Sequence, residues 1–198
     1  NDRALDGQGA ARDRQAAARV GGPRRRLLNP KVEHRIPTLT TGRLTLRAPA
    51  VDDFPAYARL MASPRAAGMG GPFDTRAAWG IFCHGLALWQ LFGHGALMID
   101  LGATGACVGV VEINHGPLFP EKELGWQVYE GHEGNGYATE AAGVLRDWAF
   151  ETLALPTLVS YIGPGNARSI AVAERLGAVL DPAAAQQDPG DLVYRHFA

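Results

Sequence analysis

Residues 124–150 read LGWQVYEGHEGNGYATEAAGVLRDWAF, and the reading of this stretch decides the fold. Leu124, Trp126 and Val128 alternate with Gly125, Gln127 and Tyr129, the two-residue period of a strand, and a helical period takes over at Tyr137. Between them Gly131, Gly134 and Gly136 punctuate residues 130–136, where glycine reaches backbone conformations closed to other residues. A strand, a glycine-rich turn and a helix in that order leave unpaired N–H groups over residues 134–138, where the helix dipole adds positive potential. Such a turn is an anion site suited to phosphate.

Two common phosphate-binding patterns do not fit. A dinucleotide fold needs GxGxxG and an acidic residue about 20 positions later, and a nucleotide P-loop needs Lys-Ser/Thr after its glycines. The run Glu133-Gly134-Asn135-Gly136-Tyr137-Ala138, followed by Thr139-Glu140-Ala141, instead resembles the acetyl-CoA pyrophosphate loop of the GNAT N-acetyltransferases. Its GYATEA form resembles the RimJ/RimL-like branch. The family pattern is Gln or Arg, two free positions, Gly, one free position, then Gly or Ala. Gly136 and Ala138 match it, whereas Glu133 stands where Gln or Arg is usual. A glycine turn that merely joins strand to helix is the plainer reading of the same residues, and the rest of the chain decides between the two.

The chain has 198 residues, 46% of them hydrophobic, enough for the core of one domain plus a tail. A formal net charge of -1 offers nothing to a nucleic acid partner, and no apolar run approaches the roughly 20 residues of a membrane span. Cys83 and Cys107 lack a CxxC or Cys/His pattern, so neither a disulfide framework nor a metal site is expected, in keeping with a reducing cytoplasm. Residues 1–37 are rich in Arg, Ala, Gly and Gln, include Arg24-Arg25-Arg26, and read as a solvated tail without its own core. They contain no secretory apolar run.

From Leu39 the texture changes. Residues 39–47 alternate leucine with polar groups and are expected to form one strand. Asp52 is expected to cap a short helix carrying Phe54, Tyr57, Leu60 and Met61. Residues 61–73 hold several Gly and Pro breakers and read as a loop long enough to be a substrate lip. A second helix follows Asp74-Thr75, with Trp79, Phe82, Leu86 and Trp89 on its buried face and His84 beside them, a packed or solvated position. Residues 96–100 and 107–113 read as an antiparallel hairpin, and residues 123–129 as the next strand. The helix after the glycine loop turns Ala138, Ala141, Ala142, Leu145, Trp148 and Ala149 to one side, and residues 157–162 form a strand beyond it. This strand–helix–strand crossover keeps the loop at the carboxyl end of its first strand, where open α/β sheets hold ligands.

Residues 163–178 then supply a second match. Asn166 caps a helix, Gly177 ends it, and Asn166, Ser169 and Leu176-Gly177-Ala178 resemble the family signature NxxSxxVxEKLGF in spacing. Two signatures in the right order identify residues 39–197 as GNAT-like. The resemblance implies an α/β GNAT fold over residues 38–198, a mixed, mostly antiparallel central sheet with helices on both faces.

It also implies a chemistry. The pantetheine arm of acetyl-CoA would lie along Gln127, Val128 and Tyr129, and the pyrophosphate on Gly134, Asn135, Gly136, Tyr137, Ala138 and Thr139. Asn166 would reach the pantetheine and Arg168 a phosphate. An acceptor amine, on a small molecule or a protein N-terminus, would attack the thioester directly, which requires a base and a means of protonating the thiolate. Glu123 lies four residues before Gln127 on the same strand face and is the first choice of base, with Glu112 the second. The family's tyrosine acid corresponds to Ala173, so Ser169 or water would take that role. His115 and His132 read as solvated loop residues. The resemblance allows a homodimer, and a non-catalytic CoA-binding domain stays open as the alternative.

Overall fold

The computed structural model describes residues 35–198, so the tail expected over residues 1–37 lies almost entirely outside it. The chain runs β1 (Leu39–Thr40), β2 (Leu44–Arg47), α1 (Phe54–Met61), α2 (Thr75–Phe92), β3 (Ala96–Leu101), β4 (Cys107–Asn114), β5 (Glu123–Val128), α3 (Tyr137–Leu153), β6 (Thr157–Ile162), α4 (Ala167–Arg175), β7 (Val179–Leu180) and β8 (Leu192–Phe197). One sheet holds all eight strands in the order β1-β2-β3-β4-β5-β6-β8-β7. Every neighbouring pair is antiparallel except β5 and β6.

The middle strands are buried on both faces, which is why Ala96-Leu97-Met98-Ile99 is an unbroken apolar run. Leu97, Ile99, Val111, Ile113 and Leu124 face Ala141, Ala142, Leu145 and Ala149 of α3. Small side chains let that helix approach the sheet closely, and each large apolar group removed from water contributes about 1.5–3 kcal/mol. Alternation sends Met98 and Val110 to the opposite face, where Tyr57, Met61 and Phe82 of α1 and α2 cover them.

Several local expectations are corrected. Residues 39–47 are a small hairpin rather than one strand, because the Thr41 hydroxyl accepts the Leu44 N–H at 2.9 Å and closes a turn; Leu44 and Leu46 still face the core. Asp53, not Asp52, precedes α1, drawn in by Arg47, which grips Asp53 at 2.7 Å and Asp100 at 2.6 Å. The loop at residues 61–73 contains a 3-10 segment, Pro64–Met69. On α2 the buried face is Phe82, Gly85, Leu88 and Trp89, whereas Trp79 and Leu86 are exposed. Gly85 sets that rotation: a Cβ there would stand 2.8 Å from the Ala96 Cβ, so the helix lies directly on β3. The two-residue strand β7 is too short to leave a pattern in the sequence.

The feature that positions the site is a splay. β5 and β6 pair only at Glu123 and Val159, where the Val159 N–H reaches the Lys122 carbonyl at 3.0 Å. One step on, the Ser160 hydroxyl donates to the Leu124 carbonyl at 2.6 Å, and the buried His196 Nε2 lies 3.0 Å from the same hydroxyl. Beyond this plug the strands part. Because Lys122 and Leu124 turn their carbonyls toward β6, alternation turns the backbone groups of Trp126 and Val128 into the gap.

Candidate active site

The glycine loop follows β5 directly. Gly131, Gly134 and Gly136 have φ of 86°, 79° and 81°, a conformation that residues with a Cβ rarely adopt, so the turn needs its glycines. Gly136 precedes α3 without a side-chain cap, and the first helical bond runs from the Glu140 N–H to the Gly136 carbonyl at 3.0 Å. The N–H groups of Tyr137, Ala138 and Thr139 therefore have no acceptor one turn back, and the Thr139 hydroxyl is buried without a partner. Asn135 fixes the turn from within, its Nδ2 donating to the carbonyls of His132 and Glu133 at 3.1 and 3.2 Å.

Two arginines hold the loop from outside. Arg43, from the β1–β2 turn, donates to Glu140 at 2.7 Å and to the Asn135 carbonyl at 3.0 Å, and its guanidinium lies 5.0 Å from the centre of the Tyr137 ring. The Thr41 hydroxyl bonds the same Glu140 carboxylate. Arg65, in the 3-10 segment of the lip, pairs with Glu133 at 2.8 Å and donates to the Val128 carbonyl at 2.7 Å. Glu133 also accepts the Gly131 N–H at 2.8 Å. The backbone around Glu133, beginning with its own N–H, joins Arg65 in holding its carboxyl below the usual range. The acidic residue that departs from the loop pattern is thus neutralised from across the cleft.

Loop, splay, α4 and lip enclose one open cleft of about 2050 Å³, roughly twice the upper end of ordinary small-molecule sites, about 300–1,000 Å³. Glu123, Gln127, Val128, residues 134–139, Asn166, Arg168 and Ser169 all line it. The Asn166 Oδ1 accepts the Ser169 N–H at 3.1 Å as the cap of α4, which leaves its Nδ2 for the cleft. Tyr129 does not belong with this group. It shares a strand face with Gln127 but is covered by Tyr57 and Phe82, its N–H is taken by the Val108 carbonyl, and its own carbonyl accepts from His132. The Gln127 backbone likewise pairs with β4 opposite Val110, so its side chain, not its main chain, faces the cleft.

On the cleft floor, register places Asn114 opposite Glu123 and Glu112 opposite Gly125, putting all three polar side chains on one face. Asn114 Nδ2 donates to Glu123 at 3.0 Å. Burial pushes the Glu123 carboxyl up to about 8, with the charges of Glu112 and Asp191 adding and Asn114 and the Tyr161 backbone opposing. Burial also raises Glu112. Ala173, the position of the family's tyrosine, is fully buried. Tyr161 lines the cleft instead; its hydroxyl oxygen accepts the Glu121 N–H at 3.0 Å, leaving its own proton to donate.

Sequence reasoning missed Arg43, Arg65, Asn114 and Tyr161, and it set aside His84, whose Nε2 is buried without a partner while the residue lines the cleft. His132 also lines the cleft, whereas His115 packs against Phe92 and His94. Among the described residues no helix is long and apolar enough to cross a membrane, and no group of three or more His, Cys, Asp or Glu could hold a metal ion.

Comparison with known proteins bears on this geometry. Residues 43–179 match the family model described as Acetyltransferase (GNAT) domain. The crystal structure of an acetyltransferase from Agrobacterium tumefaciens is 66% identical, with a TM-score of 0.81 over 85% of this chain and 99% of that one. RimL, the ribosomal L7/L12 alpha-N-protein acetyltransferase solved with coenzyme A, is similar in fold at 19% identity, with a TM-score of 0.65 over 81% of this chain and 98% of that one. A 55-residue stretch is 42% identical to the uncharacterized protein YkkB of Bacillus subtilis, covering 28% of this chain and 32% of that protein.

The raised Glu123 carboxyl has a consequence for stability. Between its ordinary value of 4.5 and about 8, the folded chain keeps a proton that the unfolded chain has released, so this group's contribution to stability falls as pH rises through that window. Glu123→Gln removes the dependence. Measured by thermal unfolding, its melting temperature should climb relative to wild type from pH 5 to pH 8; a constant offset would mean that Glu123 ionises normally.

Proposed function

This chain belongs to the GNAT acetyltransferase family, and on that premise we propose that it moves the acetyl group of acetyl-CoA to a primary amine by direct attack. It is an acyltransferase whose acyl donor is acetyl-CoA. The GYATEA loop supports a place in the RimJ/RimL-like branch, and two free thiols, Cys83 and Cys107, accord with a cytoplasmic setting.

The residues present fit the donor. The free N–H groups of residues 137–139 and the orphaned Thr139 hydroxyl suit a pyrophosphate, and the Trp126 and Val128 edges facing the splay suit an extended amide-bearing arm. Asn166 Nδ2 and Arg168 flank that path on α4. Bound acetyl-CoA supplies a thioester carbonyl that the amine nitrogen attacks, forming the C–N bond as the C–S bond breaks. The chain must then accept the amine proton and return one to sulfur.

The observation that carries the assignment is the position of Glu123, at the last paired residue before the splay opens, with its carboxyl poised near 8. A base titrating near the working pH combines a usable deprotonated fraction with a strong pull on the proton. Asn114 and the Tyr161 backbone hold the Glu123 carboxyl in place at the cleft floor. An incoming ammonium favours the carboxylate form, drawing the Glu123 proton off as the acceptor docks. We assign the proton for the leaving sulfur to Ser169, whose backbone is fixed by Asn166, with Tyr161 as a second donor on the facing strand.

Glu123→Gln keeps shape and hydrogen bonding but removes the basic site, so kcat/KM should fall by about 10²–10⁴ with acetyl-CoA affinity little changed. In wild type, assayed with an alkylamine whose own titration lies higher, the rate should rise through a limb near pH 8 that the variant lacks. Near-normal activity in the variant would return Glu123 to a structural role; inactivity of wild type toward every amine, with acetyl-CoA bound, would favour the non-catalytic alternative.

The Arg65–Glu133 pair makes a separate test. Arg65→Ala leaves a bare carboxylate beside the phosphate loop, so acetyl-CoA should bind about tenfold more weakly by calorimetry, about 1.4 kcal/mol. Adding Glu133→Gln should restore most of the loss; equal effects in both backgrounds would show that Arg65 does not act through Glu133.

A further inference from the structure

The cleft is electrically divided. Its arginines stand at the loop and along α4, and the two nearest the loop are already paired, Arg43 with Glu140 and Arg65 with Glu133. The opposite end carries Glu112 and Glu123 on its floor and Asp188 on its wall, with Asp191 near enough to raise Glu123 further. Among the described residues, two arginines of the surrounding elements are committed elsewhere: Arg195 holds Glu121 at 2.7 Å and Asp181 at 2.8 Å, and Arg47 holds Asp53 and Asp100. Lys122 lies on the His94 and His115 side and does not line the cleft.

Apolar side chains also line the cleft. Met69, Phe73, Phe119 and the exposed Leu118 are among them, and Ile81 lies on the same cavity wall as Glu112. Gly125 keeps the space above the carboxylates clear, since a Cβ there would lie 3.5 Å from Glu112 Cγ and 3.8 Å from Asn114 Nδ2. The unpartnered His84 Nε2 adds one polar contact on the α2 wall.

Resting on the acetyltransferase reading, we propose that the acceptor is a primary amine on an apolar body that carries no carboxylate next to the amine. An arylalkylamine and a peptide N-terminus beginning with a large apolar residue share this chemistry; a free amino acid does not. An ammonium favours the ionised form of the floor carboxyls, which burial otherwise keeps protonated, and the apolar walls bury the body beyond it. The carboxylate of a free α-amino acid would enter with its ammonium, cancel the field that draws the Glu123 proton off, and itself be desolvated beside Glu112 and Glu123. Desolvating a carboxylate beside two acidic groups in a part-buried site is costly, and about 100-fold discrimination is expected here.

The test compares phenethylamine with phenylalanine, amines of similar basicity that differ by one carboxylate, and adds a peptide amide beginning with phenylalanine. Thiol release from acetyl-CoA by the full chain gives kcat/KM for each, and calorimetry on the same preparation gives acetyl-CoA affinity. Phenethylamine or the peptide should exceed phenylalanine by about 100-fold or more, and whichever of the two is faster identifies a small amine or a protein N-terminus as the source. Equal use of phenylalanine would overturn the proposal, as would inactivity toward all three with acetyl-CoA tightly bound. Failure to bind acetyl-CoA would instead remove the acetyltransferase reading, and the proposal with it.

Discussion

β5 and β6 meet as parallel neighbours at one position, Glu123 opposite Val159, and then part. A sheet that opens in its interior leaves backbone N–H and C=O groups without partners, a cost that a folded chain must offset. The offset here is local at the apex, where Ser160 takes the Leu124 carbonyl and His196 backs Ser160. Farther along it is deferred to whatever fills the gap, with Arg65 covering the Val128 carbonyl meanwhile. The glycine loop, the α4 cap and the carboxylates all take their positions from this opening.

The loop's backbone donors are useful only if the loop is held still. Arg43 reaches it from the far edge of the sheet through Glu140, Asn135 and Tyr137, and Arg65 reaches it from the lip through Glu133. These contacts are part-exposed, so each one alone adds little to stability, and their effect lies in orientation. Burial works in the other direction at the floor. Glu123 is costly to ionise where it sits, and the same cost would tune it for the proposed role of base.

Much of this was legible in the chain because it rests on local chemistry. Glycines at positive φ, an asparagine at a helix start and a two-residue period in β5 are written in consecutive residues, and they led to the loop, α4 and Glu123. What stayed hidden depends on register or distance. Arg43 meets Glu140 across 97 positions and Arg65 meets Val128 across 63, separations at which no pattern is visible. Asn114 faces Glu123 only because the β4–β5 connection sets that register. Alternation gives the face but not the cover: the face that Gln127 and Tyr129 share is open at Gln127 and closed at Tyr129 by α1 and α2. The same blindness to cover misplaced the buried stripe of α2, which Gly85 rotates toward β3.

The central claim is that the splayed edge of β5 and the start of α3 together form the acetyl-CoA site. Amide hydrogen exchange with and without acetyl-CoA reads those backbone groups directly. Protection should appear at Trp126 and Val128 and over residues 134–139, while β2, β3 and β8 stay unchanged. Protection elsewhere, with the β5 edge and the loop unaffected, would contradict the account.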